Sequence, residues 1–220
     1  MKQQSIILGL ISVSTLLLAG DKGFNPPPAE HAKTYACAEA HDDEQAVIAI
    51  DPYDAAPKTA IFKVKYKEIG FLPVRLIISN DGPKPLMLDN LKIEYVTARR
   101  DKREPASKDD IYRRISHPEK AAARPPVKLP LPPTGPKIPR SAVKQDAIEE
   151  IGSAMFLTVP VMPHSTNSGF LFFDIAGIEN PEAGAHLYLS GIKAGTQELF
   201  YFDIPLEKAL SNQPPAVSPK

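Results

Sequence analysis

The 220 residues contain no tryptophan and one cysteine, Cys37. That excludes the Cys…Trp…Cys core of antibody domains and any internal disulfide. The fold must therefore rest on its apolar core. Neither charge is in excess, since 26 Lys and Arg balance 26 Asp and Glu. This argues against nucleic acid as a partner, which demands a strongly basic face. The pattern G-x-S-x-G is absent, as are a phosphate loop, H-E-x-x-H and paired metal-binding cysteines, so no familiar catalytic or metal signature is present.

What is present begins at the amino terminus. Met1 to Ser5 carries one charge, Ile6 to Leu18 is apolar apart from Ser12, Ser14 and Thr15, and Ala19-Gly20 supplies small residues. These are the three regions of a secretory signal. The apolar run is shorter than the about 20 residues of a membrane-spanning helix. Leu17-Leu18-Ala19-Gly20 resembles the end of a lipoprotein signal, but Asp21 stands where the lipid-bearing cysteine would be. A carboxylate cannot carry a thioether-linked lipid. Cleavage after Gly20, cleavage nearby and an uncleaved anchor stay open. The product is expected in the periplasm or outside the cell, or held to the membrane by an uncleaved segment 1–20. Cys37 then faces an oxidising compartment as a buried thiol or as half of an intermolecular bridge.

Asn25-Pro26-Pro27-Pro28 reads as a stiff spacer, and 21–45 as a flexible lead-in. Regular structure is expected from about Ala46, in a β domain over 46–209. Phe62, Val64 and Tyr66 alternate with Lys63, Lys65 and Lys67, the pattern of a half-buried strand. Leu72, Val74, Leu76 and Ile78 share one face of the next strand. Asn80-Asp81-Gly82-Pro83 is a turn, and Leu86 to Thr97 returns. Ser107-Lys108-Asp109-Asp110 resembles a capping box for a short helix to Ile115. Eight prolines lie between Pro118 and Pro139. They exclude a strand ladder there and predict a long proline-rich loop over 118–140. Ser141 to Ile151 is expected to be helical. Met155, Leu157, Val159 and Val161 alternate as a strand, Ser165 to Gly169 reads as a loop, and Phe170 to Phe173 as a central strand. Leu187, Leu189 and Ile192, then Leu199 to Ile204, complete the set. The tail 210–220 is polar and expected to be disordered.

Some seven short strands with one long insertion predict an all-β protein: an antiparallel immunoglobulin-like sandwich with one or two short helices. Four segments, Asp51-Pro52-Tyr53, Gly70 to Asn80, Pro163 to Asp174 and Glu198 to Pro205, resemble a family of uncharacterised exported bacterial proteins with an immunoglobulin-like domain. The resemblance spans about residues 46–209 and implies an envelope location without an assigned activity. Many such proteins are lipoproteins, a pattern from which Asp21 departs.

Few residues suggest chemistry. Met162 and His164, two apart on an extended chain, face one side. Sulfur with nitrogen there suits copper, with Met155 and Met87 as further donors or as core. His41-Asp42-Asp43-Glu44 offers oxygens and an imidazole to a divalent ion, though solvated charge is the simpler reading. The serines near His164 invite a hydrolase comparison, with His186 as a second base, but no paired carboxylate is evident. The sequence thus predicts no catalytic residue, no bound cofactor and no metal site beyond the weak pair Met162 and His164. The expected function is a non-enzymatic binding or adaptor module with another envelope protein as partner. The alternatives are a carrier of copper or a small solute, then an envelope hydrolase.

Overall fold

The structure, a computed structural model, describes residues 24–116 and 145–212. The signal 1–20, the proline-rich segment 118–140 and the tail beyond 212 lie outside the described residues. What is described is mostly β, with antiparallel sheets and two α-helices.

The first sheet runs β1 (Cys37–His41), β2 (Ala46–Pro52), β3 (Phe71–Asn80) and β7 (Ser165–Asp174), in that spatial order. The second runs β11 (Phe202–Pro205), β8 (His186–Ser190), β5 (Lys92–Val96) and β6 (Lys102–Arg103). A small third sheet joins β10 (Gln197–Glu198), β9 (Lys193–Ala194) and β4 (Leu86–Met87). The helices are α1 (Lys108–Ser116) and α2 (Gln145–Ala154).

Every residue of β3 is buried, because the first sheet is covered on both faces. Leu72, Val74, Leu76 and Ile78 join Ile48, Ile50, Leu171 and Phe173 in a core shared with Tyr95, Leu187, Leu189, Phe202 and Ile204 of the second sheet. The opposite face carries Phe71, Phe170 and Phe172, packed with Tyr53, Tyr66, Ile111 of α1 and Ile151 of α2. Farther along that face, Val47, Ala49 and Ile77 meet Ala32. Burial of each such large side chain contributes about 1.5–3 kcal/mol.

Local chemistry sets the ends of these elements. Asn80 Oδ1 accepts the Gly82 amide at 2.9 Å, while its Nδ2 donates to Lys84 O and Val161 O. That Asx turn reverses the chain after β3. Ser107 Oγ accepts the Asp110 amide at 3.2 Å and donates to Asp110 Oδ2 at 2.7 Å. Asp109 and Asp110 sit in the first turn of α1, Arg113 and Arg114 in its last, the arrangement its dipole favours. Arg114 then pairs with Asp174 at 2.6 Å and lies over the Phe71 ring.

The structure corrects several expectations. The lead-in is packed from Phe24 onward. The Phe24 ring stacks on Phe62 at 5.4 Å, buried Arg75 donates to Pro27 O, and β1 precedes Ala46. Residues 58–69 form two 3-10 turns, Lys58–Ile61 and Tyr66–Ile69, with no strand between them. The Glu150 carboxylate captures the Lys63 and Val64 amides at 2.5 and 3.2 Å, which takes them from any ladder. Met155 to Val161 makes only isolated bridges, with Leu157 and Val159 exposed. Ser165 to Gly169 is the first half of β7 instead of a loop, and β7 is an edge strand instead of a central one. Its outer side is covered in part by Phe156, whose amide donates to Phe170 O, and by Ala106, whose amide donates to Phe172 O. At the other end, Leu206–Asn212 forms a 3-10 helix, so ordered backbone runs past residue 209.

Candidate binding surface and cleft

The ends of the two large sheets meet where β1 lies beside β11. Just before β11 the chain presents Phe200 and Tyr201, 76% and 55% exposed. Tyr201 leans on Tyr188 with ring centroids 5.1 Å apart. The segment is tied from the first sheet. Glu44 Oε1 accepts the Phe200 amide at 2.9 Å, and Glu39 Oε2 accepts the Asp203 amide at 2.8 Å.

Between those carboxylates stands His41. Its Nδ1 lies 2.8 Å from Glu44 Oε2 and its Nε2 3.0 Å from Glu39 Oε1. Its ring stacks on Phe202 at 3.9 Å and 10°. Burial pulls the imidazole pKa down, but the hydrogen bonds to Glu39 and Glu44, with their charges, outweigh it and hold it above its ordinary value. The expected group His41-Asp42-Asp43-Glu44 thus comes together in part. Its two ends meet, Glu39 joins them, and Asp42 and Asp43 stay outside. Both imidazole nitrogens are already engaged by carboxylates.

A cleft of about 490 Å³ opens on the other side of the first sheet, walled by Tyr53, Phe62, Val64, Tyr66 and Ala60. Its volume falls in the usual range for small-molecule pockets. Its rim charges are paired: Lys67 with Asp54 at 2.7 Å and Lys65 with Glu68 at 3.1 Å. Tyr66 donates to Glu150 Oε1 at 3.0 Å, and burial followed by the Glu150 charge drives its pKa up.

Glu182 is 2% exposed, and neither of its carboxylate oxygens has a hydrogen-bond partner among the described residues. Burial, then the Asp54 charge, raises its pKa to about 7. Nothing in the sequence marked it. A Glu after Pro181 reads as an exposed turn, and only the packed structure closes over it. Cys37 is buried, its thiol raised to about 11 by burial and then by Asp51.

The remaining candidates lie apart. Met162 is 59% exposed, and His164 is an exposed turn residue with φ of 54°. Met155 packs against the helical side of the first sheet, and Met87 lies in β4, half-buried. Ser165 Oγ donates to Met162 O at 2.7 Å, and Ser168 Oγ accepts from Arg75 at 3.0 Å. His186 Nδ1 lies 3.2 Å from Asp203 Oδ1 without hydrogen-bond alignment. Among the described residues no three His, Cys, Asp or Glu side chains group as a metal site requires. No described helix is long and apolar enough to cross a membrane.

No protein-family model matches the chain, and neither does any curated protein. A 2.2 Å crystal structure of a conserved hypothetical protein from Bacillus anthracis is similar to it over 73% of this chain and 87% of that one, at 12% identity and a TM-score of 0.32. A likeness that slight carries no functional argument.

Proposed function

We propose that the chain is a non-enzymatic, exported cell-envelope protein. In this reading an immunoglobulin-like sandwich binds another envelope protein through the face bearing Phe200 and Tyr201. The observation that carries it is the pair of aromatic side chains held in water, 76% and 55% exposed, on a segment bonded to the first sheet through Phe200 N and Asp203 N. Leaving a phenylalanine exposed forgoes about 1.5–3 kcal/mol of burial. Rigid aromatic anchors are where interface energy concentrates.

Support for the sandwich comes from two antiparallel sheets facing one core. Support for export comes from the charged start, apolar run and small-residue end of residues 1–20. Against catalysis stand Ser165 and Ser168, both committed to structural hydrogen bonds. A photo-crosslinking residue at position 200 tests the reading in intact cells. Attachment to one envelope protein is expected, and crosslinks scattered over many proteins would contradict it.

The cleft favours a second reading, a carrier of a small apolar solute. Ala60→Trp would fill the cleft. Loss of binding of an apolar fluorescent dye in that variant, with Phe200→Ser unaffected, is the outcome that reading requires.

A further inference from the structure

We infer that Glu39, His41 and Glu44 form a proton-dependent clasp that ties residues 200–203 to the first sheet and loosens when the imidazole loses its proton. The geometry gives each partner two tasks. Each carboxylate places one oxygen against a ring nitrogen of His41 and the other on a backbone N–H of the opposite sheet's edge. The clasp therefore joins β1 and the turn after it to residues 200 and 203, which lie 156 and 164 residues farther along the chain.

An imidazolium donates from both nitrogens, and both carboxylates accept. A neutral imidazole has one N–H and one lone pair. Whichever tautomer forms, one carboxylate then faces a lone pair. The charge that separated two carboxylates is also gone, and stacking of a cation on the Phe202 face goes with it. The released carboxylate turns to water, and its backbone hydrogen bond to the 200–203 segment weakens.

Surrounding charge favours the protonated form. Glu39 is on the same strand, and Glu44 lies on the following turn, with Asp42 and Asp43 on its exposed side. Across the gap, Asp203 of β11 lies near His186. Lys33, in the 3-10 turn before β1, lies 3.8 Å from Asp42 and 3.5 Å from Asp81. The raised pKa of His41 is consistent with this setting. By linkage, a histidine held above 6.5 contributes stability that is whole below 6.5 and lost as pH rises through its folded pKa. Periplasm and exterior follow ambient pH, so the device would sense conditions outside the cell. It stands whether or not Phe200 and Tyr201 engage a partner.

Amide exchange read by NMR on the full chain, between pH 5.5 and 8.5 and corrected for intrinsic rates, tests it. His41 is expected to titrate above 6.5. Across that titration, protection is expected to fall about fivefold, the equilibrium value of one net hydrogen bond, at one or both of the Phe200 and Asp203 amides, according to which carboxylate is released. His41→Gln should flatten this dependence, and His186→Gln should leave it. If His41 titrates at or below 6.5, or if both amides keep constant protection while it titrates, the clasp is overturned. These wild-type readouts decide the matter even if His41→Gln folds poorly.

Discussion

The Glu150 carboxylate accepts the phenolic hydrogen of Tyr66 at 3.0 Å, joining α2 to a turn 84 residues earlier. The same carboxylate takes the amides of Lys63 and Val64. One buried side chain thus fixes a wall of the cleft.

Replacing Glu150 by alanine leaves two backbone N–H groups and a buried phenol without their acceptor. An unsatisfied buried donor costs about 1–3 kcal/mol. Glu150→Ala is therefore expected to destabilise by about 3 kcal/mol or more in urea unfolding, and to weaken any dye binding in the cleft. A loss below about 1 kcal/mol would place those amides in water.

Gly169 has no room for a side chain. A Cβ there would stand 2.4 Å from Phe156 Cα and 2.8 Å from Phe156 N. The close approach lets the 155–157 segment cover the edge of β7. Gly169→Ala should cost about 1–3 kcal/mol through overpacking and speed exchange of the Phe156 amide. Gly152, where an added Cβ would meet nothing within 4 Å, is the comparison. Gly152→Ala lies inside α2 and should be neutral or stabilising by up to about 1 kcal/mol.

Glu182 makes stability depend on pH. Its carboxyl titrates near 7 when folded, against an ordinary 4.5. Between those values the folded state holds the proton that the unfolded chain releases. Stability therefore falls as pH rises from about 4.5 to 7, by an amount of order 2–3 kcal/mol. Glu182→Gln should remove most of that slope and be the more stable protein at pH 8. Chemical denaturation at pH 5 and pH 8 measures both. A parallel pH profile in the variant would contradict the assignment.

Acid acts through other groups. The His31 hydrogen bond lowers the Asp81 pKa. For Asp174, burial raises the pKa, but Arg114 outweighs it and the net shift is downward. Their stabilisation is whole above about 3.8 and lost as pH falls through the folded values. With Glu182 weakening stability above about 4.5 and His41 above 6.5, stability should peak between about pH 4 and 5. A thermal-melting series across pH 3 to 9 locates the maximum. A plateau extending from pH 6 to 9 would contradict this balance.

Burial was easier to read from the sequence than pairing. The alternation Leu72, Val74, Leu76, Ile78 identified β3, because a period of two on β-formers has one good solution. Phe62, Val64 and Tyr66 carried the same signal, and all three do pack against the helical side of the sheet. The segment forms no strand because Glu150, far along the chain, claims the Lys63 and Val64 amides. Cys37-Ala-Glu-Ala-His41 lacks β-branched residues, so β1 was silent. It is a strand because β2 offers it an edge, from Cys37 opposite Ile50 to His41 opposite Ala46. Ser165 to Ser168 read as a turn on composition, yet Thr166 and Ser168 bond Ser79 and Arg75 across the sheet face. The candidate surface is not legible in the sequence: the pattern assigns Leu199 to Ile204 to one strand, and only packing separates buried Phe202 from exposed Phe200 and Tyr201.

The proposal of a binding module stands on that exposed pair. The most direct test is a tagged full-length chain, cross-linked in living cells and recovered from the envelope fraction, beside Phe200→Ser/Tyr201→Ser and Ala60→Trp variants. The double variant should fold with stability within about 0.5 kcal/mol of the parent, as surface changes do. The account predicts one near-stoichiometric partner with the parent chain and with Ala60→Trp, absent with the double variant. Recovery of the same partner by the folded double variant would contradict it.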